Sequence, residues 1–368
     1  MRKILINLLL ILSLNTSAQE ILSLKDRAEV IMKLQKDRLD NLLPSIMQKN
    51  DIDMWILMTR EYNEDPVIKT MLPPTWLNAR RRTILVFSRN IQTGKFKSVA
   101  ITRYPFGNNI PSIWIKEKQP NQLKALSDYI EKENPKKIGI NFSKHESLSD
   151  GLSKTGFDEL YSSLPTKFQK RLVSAEKLSI AWIETRTNLE MTIFSKLVEI
   201  SNNIIKEAFS TKVITPGVTT TDDVVWWMRE KVIHMGIQTW FHPTVDVQRK
   251  DNSDLYAFDS KSKFDIIKPG DLLHCDFGIS YLTLNTDSQQ LAYVLRPEEK
   301  APPNFLVNAL KEGNKVQDIF TNNFKEGFTG NQILKKSLKQ SFDQGLRPQI
   351  YTHPLGLFGH SAGTAFGM

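Results

Sequence analysis

Apolar and polar positions alternate along this chain in two rhythms, and the boundary between them divides it in two. From Ala28 to Gln48, Ile31, Leu34, Leu42 and Ile46 fall near helical spacing, with Pro44 placed to bend or end the helix. Met54-Trp55-Ile56-Leu57-Met58 is a continuous apolar run of the kind a buried strand shows. Ile84 to Phe87, Ser98 to Thr102 and Ile138 to Asn141 predict further strands, the last entered through the turn Pro135-Lys136-Lys137. Residues 25–180 therefore read as one α/β domain.

A second domain is predicted from about residue 185. Leu189, Ile193, Leu197, Ile200, Ile204 and Ala208 form the apolar stripe of a long helix. After the turn Thr215-Pro216-Gly217-Val218-Thr219, Thr221 is placed to cap a second helix, with Asp222 and Asp223 at its positive end. That helix carries Val224, Val225, Met228 and Val232 and stops at Gly236. The pattern returns about 110 residues later. Phe305 to Phe324 is amphipathic, Glu326 to Asn331 is a turn, and a second helix with Ile333, Leu334 and Leu338 stops at Gly345. Gly217 pairs with Gly327, Thr219 with Thr329, Val224 with Leu334, and Gly236 with Gly345, which predicts a degenerate duplication of a helix, helix, strand unit. The first half continues to about residue 296 in a strand pair. The second has only reached its first strand by Met368, so on the repeat period it is short by roughly 40 residues.

Candidate chemistry lies on the strand pair of the first half. Lys268-Pro269-Gly270-Asp271 turns into Leu272 to Gly278, where Leu273, Cys275 and Phe277 share one face and His274 and Asp276 the other. The chain returns through Tyr281 to Asp287 and continues as a strand from Gln290 to Leu295. The hairpin can bring Asp276 and Asp287 to one side. Two close carboxylates repel unless a proton or a cation lies between them, and carboxylate with imidazole suits Mn, Zn, Co or Fe. Taken alone, Asp at strand ends more often caps a turn. His353 and His360 flank an apolar, Gly-containing stretch downstream of the pair, which points to a site.

Composition narrows the setting. The 368 residues suit two domains of ordinary size. Met1 to Ala18 has the form of a signal peptide: Arg2 and Lys3, then the apolar run Ile4 to Leu14, then Thr16-Ser17-Ala18 before Gln19. The run is about half of what a membrane span needs, so a secreted or periplasmic protein with no membrane span after cleavage is expected. Cys275 is the one cysteine, which excludes thiolate zinc sites. The net charge of +9 comes from scattered Lys and Arg; Arg80-Arg81-Arg82 reads as a solvated strand entry, and nucleic acid is not expected as a partner.

The residues now in place resemble the creatinase, prolidase and aminopeptidase P group of Xaa-Pro peptidases, M24-type metallopeptidases with a pita-bread fold. Gly270-Asp271-Leu-Leu-His-Cys-Asp276-Phe-Gly278 matches that group's first metal stretch, with the second aspartate eleven residues on at Asp287. His353-Pro-Leu-Gly356 with His360 matches its histidine stretch, and Pro216 to Thr219 its typical turn. The resemblance implies an α+β protein: an N-terminal creatinase-type α/β domain over 25–180 and a pita-bread domain over 185–368 that lacks its last strands. It implies Asp276, Asp287 and His353 as ligands of two divalent metal ions, Mn first, Zn or Co as alternatives. It implies His360 as the catalytic group that stabilises the substrate carbonyl or tetrahedral intermediate, and two-metal hydrolysis of a short peptide. A homodimer is compatible with it. Three departures follow. The group closes its site with two glutamates roughly 30 and 50 residues beyond the ligand histidine, and no residues stand there. A substrate-binding histidine is missing from Ala257-Phe258-Asp259-Ser260, for which His242 is the substitute, a core role being the other reading. Thr286 precedes Asp287 where glycine is common. An Xaa-Pro aminopeptidase impaired in this truncated form is thus the expectation. The alternatives are a non-catalytic peptide- or protein-binding module and a metal-free creatinase-type C–N hydrolase, against which the retained aspartates argue.

Overall fold

The computed structural model describes residues 21–90, 93–249 and 265–367; the predicted leader and the Ala257 to Ser260 stretch lie outside them. The first region contains, in order, α1 (Leu24–Asp37), α2 (Leu43–Lys49), β1 (Met54–Arg60), α3 (Pro66–Met71), β2 (Arg82–Arg89), β3 (Phe96–Ala100), α4 (Gln122–Glu133), β4 (Ile138–Ile140), α5 (Lys154–Ser163), α6 (Thr166–Gln169), β5 (Leu172–Ser174) and α7 (Glu176–Glu184). Its strands form one sheet in the order β3-β2-β1-β4-β5. β2 pairs antiparallel with β1 and β3, whereas β4 pairs parallel with β1 and β5. β1 is apolar from Met54 to Met58 because both faces are covered there. Trp55, Leu57, Leu85 and Phe87 pack with Leu43, Met47, Leu178 and Trp182; Met54, Ile56, Met58 and Ile84 pack with Leu126, Ile130, Leu160 and Phe168.

Pro44 neither ends a helix nor takes the chain off the helical path. A π-helical turn, Arg38–Leu42, joins α1 to α2, and Pro44 falls in the first turn of α2, where a missing N–H leaves nothing unpaired. β3 lies two residues earlier than expected, at Phe96–Ala100, and the Ala100 N–H bonds out of the sheet to the Pro111 carbonyl.

A buried polar network pins α7 to this sheet. Asn141 Oδ1 accepts from Trp55 Nε1 at 2.8 Å and Ser179 Oγ at 3.0 Å, and its Nδ2 donates to Asp65. Asp65 also caps α3 through the Val67 and Ile68 N–H groups. Burial pushes the Asp65 carboxyl up to about 6, against the pull of these three donors.

The second region contains α8 (Asn188–Ala208), α9 (Thr221–His234), β6 (Gln238–Thr239), β7 (Thr244–Gln248), β8 (Leu272–Phe277), β9 (Ile279–Tyr281), β10 (Leu284–Asn285), β11 (Ser288–Tyr293), α10 (Asn304–Asn322) and α11 (Gly330–Asp343). Two antiparallel sheets result, β11-β8-β7 and β10-β9-β6. α8 and α9 cover them with Leu197, Ile200, Ile204, Val224, Met228 and Val232 over Val245, Leu273, Cys275 and Phe277. Leu189, expected on the buried stripe, is exposed; Glu190 is buried in its stead, completing a capping box with Thr187 and pairing with Arg38.

The duplication is visible in backbone geometry. Gly217 and Gly327 have φ of 86° and 87°, and Gly236 and Gly345 have φ of 70° and 75°, left-handed values that glycine adopts without strain. The caps are Thr220 and Thr329, each bonded to its N3 residue, so Thr221 is the first helical residue rather than the cap. Those caps pair Val224, Met228 and Val232 with Ile333, Ser337 and Ser341, one residue out of the register expected from Leu334. After α11 the expected first strand is only an isolated bridge, Thr352 with Phe366.

Candidate active site

Strand alternation delivers the first carboxylate. On β8, Leu273, Cys275 and Phe277 are buried towards α8 and α9, and His274 and Asp276 look out from the other face. Register sets Gln289 and Thr244 opposite Asp276, and Leu291 and Asp246 opposite His274. The β9–β10 corner turns at Leu282 and Thr283, both left-handed with φ of 52° and 67°. Such a turn matches hairpin twist but normally uses Asn or Gly, so a β-branched residue here is strained. Asp287 follows directly, between β10 and β11.

The aspartates meet. Burial, then the charge and hydrogen bond of Asp287, push the Asp276 carboxyl up to about 7, opposed by His274 and His353. Asp276 Oδ1 is buried and has no hydrogen-bond partner. Its Oδ2 receives a long contact, 3.4 Å, from Gln289 Nε2. The Gln289 amide bridges onward, its Oε1 lying 3.1 Å from His274 Nε2. Asp246, 4.0 Å from His274 Nδ1, is the main influence raising that imidazole, followed by Gln289 after the opposing effect of burial.

His353 joins this pair. Its Nε2 lies 3.2 Å from Asp287 Oδ2, and its Nδ1 lies 3.0 Å from the Pro354 carbonyl. Both neighbours are acceptors; with a cation between Nε2 and Asp287, the proton would sit on Nδ1 and the Nε2 lone pair would face the cation. That is the tautomer of a metal-ligating histidine whose second nitrogen is held by a backbone carbonyl. Lone pair against carboxylate requires a proton or a cation between them. His360 is exposed; its ring centroid lies 4.6 Å from His353 and 5.1 Å from Trp240.

Two carboxylates, an orphaned oxygen and an imidazole of this tautomer fit a divalent cation. Among the described residues, however, no group of three or more His, Cys, Asp or Glu is set to hold one. His353 is turned onto Asp287 rather than standing open beside it. The structure thus brings Asp276, Asp287, His353 and His360 into one neighbourhood and leaves His242 out. His242 is exposed, with Nδ1 3.0 Å from Arg229 Nη1 and its ring 5.2 Å from Trp226, so it is not a core residue either. Sequence reasoning passed over Gln289, Asp246, Asn285 and Trp240. Strand register with Asp276 and His274 was the signal for the first two; nothing local marks the others.

The model of metallopeptidase family M24 matches residues 193–367. Among solved structures, an X-Pro aminopeptidase from Thermotoga maritima superposes with a TM-score of 0.60 at 15% identity, over 87% of this chain and 84% of that one. A Xaa-Pro dipeptidase from Bacillus anthracis superposes with a TM-score of 0.55 at 15% identity, over 93% and 84%. Aminopeptidase P from E. coli, solved with the inhibitor Pro-Leu, gives 0.51 at 11%, over 94% and 83%. At these identities the likeness is one of fold. No curated protein matches the chain. The resemblance read from the motifs, and the mixed α/β fold with a pita-bread domain, therefore hold.

Proposed function

We propose that this chain, whose residues 193–367 are of the M24 metallopeptidase type, hydrolyses short peptides of the Xaa-Pro kind with divalent metal ions held at Asp276, Asp287 and His353. The observation that carries this reading is the buried, unpartnered Asp276 Oδ1 in a carboxylate pair that His353 faces with its Nε2. When bound, two ions supply Lewis-acid polarisation of the scissile carbonyl and a nucleophile at neutral pH. The chain's own residues do the rest. Asp276 and Asp287 would hold the cation, which would relieve the repulsion between their carboxylates. The Pro354 carbonyl keeps the His353 proton on Nδ1. His360, exposed beside His353, donates a hydrogen bond to the substrate carbonyl. Mn is the proposed metal, with Zn or Co as alternatives. We read the protein as exported through its leader, with peptide rather than nucleic acid as its partner; a homodimer is compatible with this reading.

A second reading rests on the engagement of His353 by Asp287 and the missing three-donor group among the described residues. It makes these 368 residues a weak metal binder with little activity, and a peptide-binding module instead. Metal content and Xaa-Pro dipeptide hydrolysis of the 368-residue protein, with Asp276→Asn as control, decide between them. Stoichiometric metal and hydrolysis abolished by Asp276→Asn support the peptidase. Peptide binding without metal supports the module.

A further inference from the structure

The corner just before Asp287 grips the histidine loop at two places. Asn285 is buried, and its Nδ2 donates to the Gly356 carbonyl at 3.2 Å, midway between His353 and His360. Because a carbonyl can only accept, the amide nitrogen faces Gly356, and Asn285 Oδ1 accepts from Ser280 Oγ. The neighbouring Thr286 carbonyl accepts from Trp240 Nε1 at 2.7 Å. Trp240 lies so close over Gly359 and Gly278 that a Cβ at either would overlap its indole, and it meets His360 and His353 edge-on at 5.1 and 6.4 Å. Thr286 is itself fixed to β9: its N–H donates to the Ile279 carbonyl at 2.9 Å, and its Oγ1 accepts from the Ile279 N–H at 3.1 Å.

The first region holds the loop from the other side. The Ile183 carbonyl, at the end of α7, accepts from the Leu357 N–H at 3.2 Å, and Ala362 is buried in the core formed around Trp55 and Trp182. A loop containing Gly356, Gly359 and Gly363 has a large conformational entropy to lose. Its own hydrogen bonds are few, and a single one is worth about 1 kcal/mol net.

We propose that Asn285 and Trp240 are positioning residues, which lock the loop bearing His353 and His360 onto the hairpin bearing Asp287. The catalytic consequence rests on the peptidase reading; the clamp itself rests on the contacts above. Neither residue supplies a ligand. Asn285 acts through the Gly356 backbone, and Trp240 through its Nε1–H bond to the Thr286 carbonyl, which holds its ring over Gly359 and against both imidazoles.

The test uses the 368-residue protein with Asn285→Ala and, separately, Trp240→Phe, which keeps an aromatic ring and removes the N–H. Amide hydrogen exchange over residues 353–361 and Mn²⁺ affinity are read in each. Exchange in this segment is expected to rise about fivefold to tenfold, the equivalent of one lost hydrogen bond, with exchange in β1 and β2 unchanged. Mn²⁺ affinity is expected to fall about tenfold or more, as when an outer partner of a ligating histidine is lost. Where hydrolysis is measurable, kcat should fall with KM within twofold. Exchange within twofold of the parent in both variants overturns the clamp. If Asn285→Ala does not fold, Trp240→Phe decides by the same criterion. A parent chain that binds no Mn²⁺ sinks the peptidase reading, while exchange still decides the clamp.

Discussion

The two helix pairs of the second region start from the same local instructions and end differently. α8 with α9, and α10 with α11, share left-handed glycines at matching places and capping boxes at Thr220 and Thr329. The first pair lies on a sheet: α9 buries Val224, Met228 and Val232 over β7 and β8. In the second pair α10 buries nothing, and α11 buries Ile333 with Ser337 and Ser341. Its larger apolar side chains, Leu334, Leu338 and Phe342, recur every four residues along a face open to solvent. Capping and amphipathic spacing suffice to define a helix hairpin. Burial is conferred only by what the hairpin packs on.

That difference can be broken or sharpened by experiment. The largest effect is expected at Arg38. This buried guanidinium, pulled down to about 10 by burial against the opposing charge of Glu190, bonds to Glu190, to the Thr185 carbonyl and to the Trp182 carbonyl. It thus ties the start of α8 to the first region, a tie with no counterpart on α10. Arg38→Met leaves the Glu190 carboxylate buried without its guanidinium partner and should destabilise by about 3–5 kcal/mol in urea unfolding. Adding Glu190→Gln should recover most of that. No recovery would mean that the pair is not the cause.

Next come matched truncations. Met228→Ala, fully buried, should cost about 2–5 kcal/mol, and Leu338→Ala, half-buried on the open face, about 1 or less. Equal costs would break the comparison, because the face of α11 would then be covered.

The sheet under the first pair carries the carboxylates, and it should show their repulsion. The Asp276 carboxyl is raised to about 7. A raised carboxyl contributes stability that is present below its unfolded value near 4 and is lost as pH rises through 7. Metal-free protein should therefore weaken between about pH 4 and pH 7. Asp276→Asn should flatten that slope and, after allowance for solvent screening, stabilise by about 1 kcal/mol at pH 8. Mn²⁺ should stabilise the parent and leave the variant unchanged, as read by melting temperature. A parent with no slope across this range would show that the two carboxylates do not interact in solution.

The smallest effect is at the caps. Thr220→Ala and Thr329→Ala should each weaken their helix by about 1 kcal/mol. In the first case the loss should appear in global unfolding. In the second it should appear only as faster amide exchange in α11, because that helix is held by less. A global loss of equal size from both would argue that the two pairs are equally docked.

Much of this was legible along the chain, for local reasons. β1 betrays burial on both faces by its unbroken apolar run, and β8 betrays its two faces by alternation, which placed Cys275 inside and Asp276 outside. The turn glycines announced the duplication because few other residues tolerate their φ. Misses came where a contact distant in sequence prevailed. Glu190 rather than Leu189 is buried because Arg38, 152 residues away, is there to meet it. The repeat register was off by one because Thr219 and Thr220 are adjacent and only the N3 hydrogen bond selects the cap.

Residue chemistry and spacing by themselves determined which side chains could form a site: an aspartate pair on a hairpin and two histidines beside glycines. The tertiary structure alone decided how they meet. Asn285, Trp240 and the Ile183 carbonyl come from β10, the segment before β7 and the end of α7, and they converge on the histidine loop only because the sheets and α7 are docked. Hydrogen bonds and ring contacts of this kind act over a few ångströms of space and leave no period in the sequence, so only the packed chain reveals them.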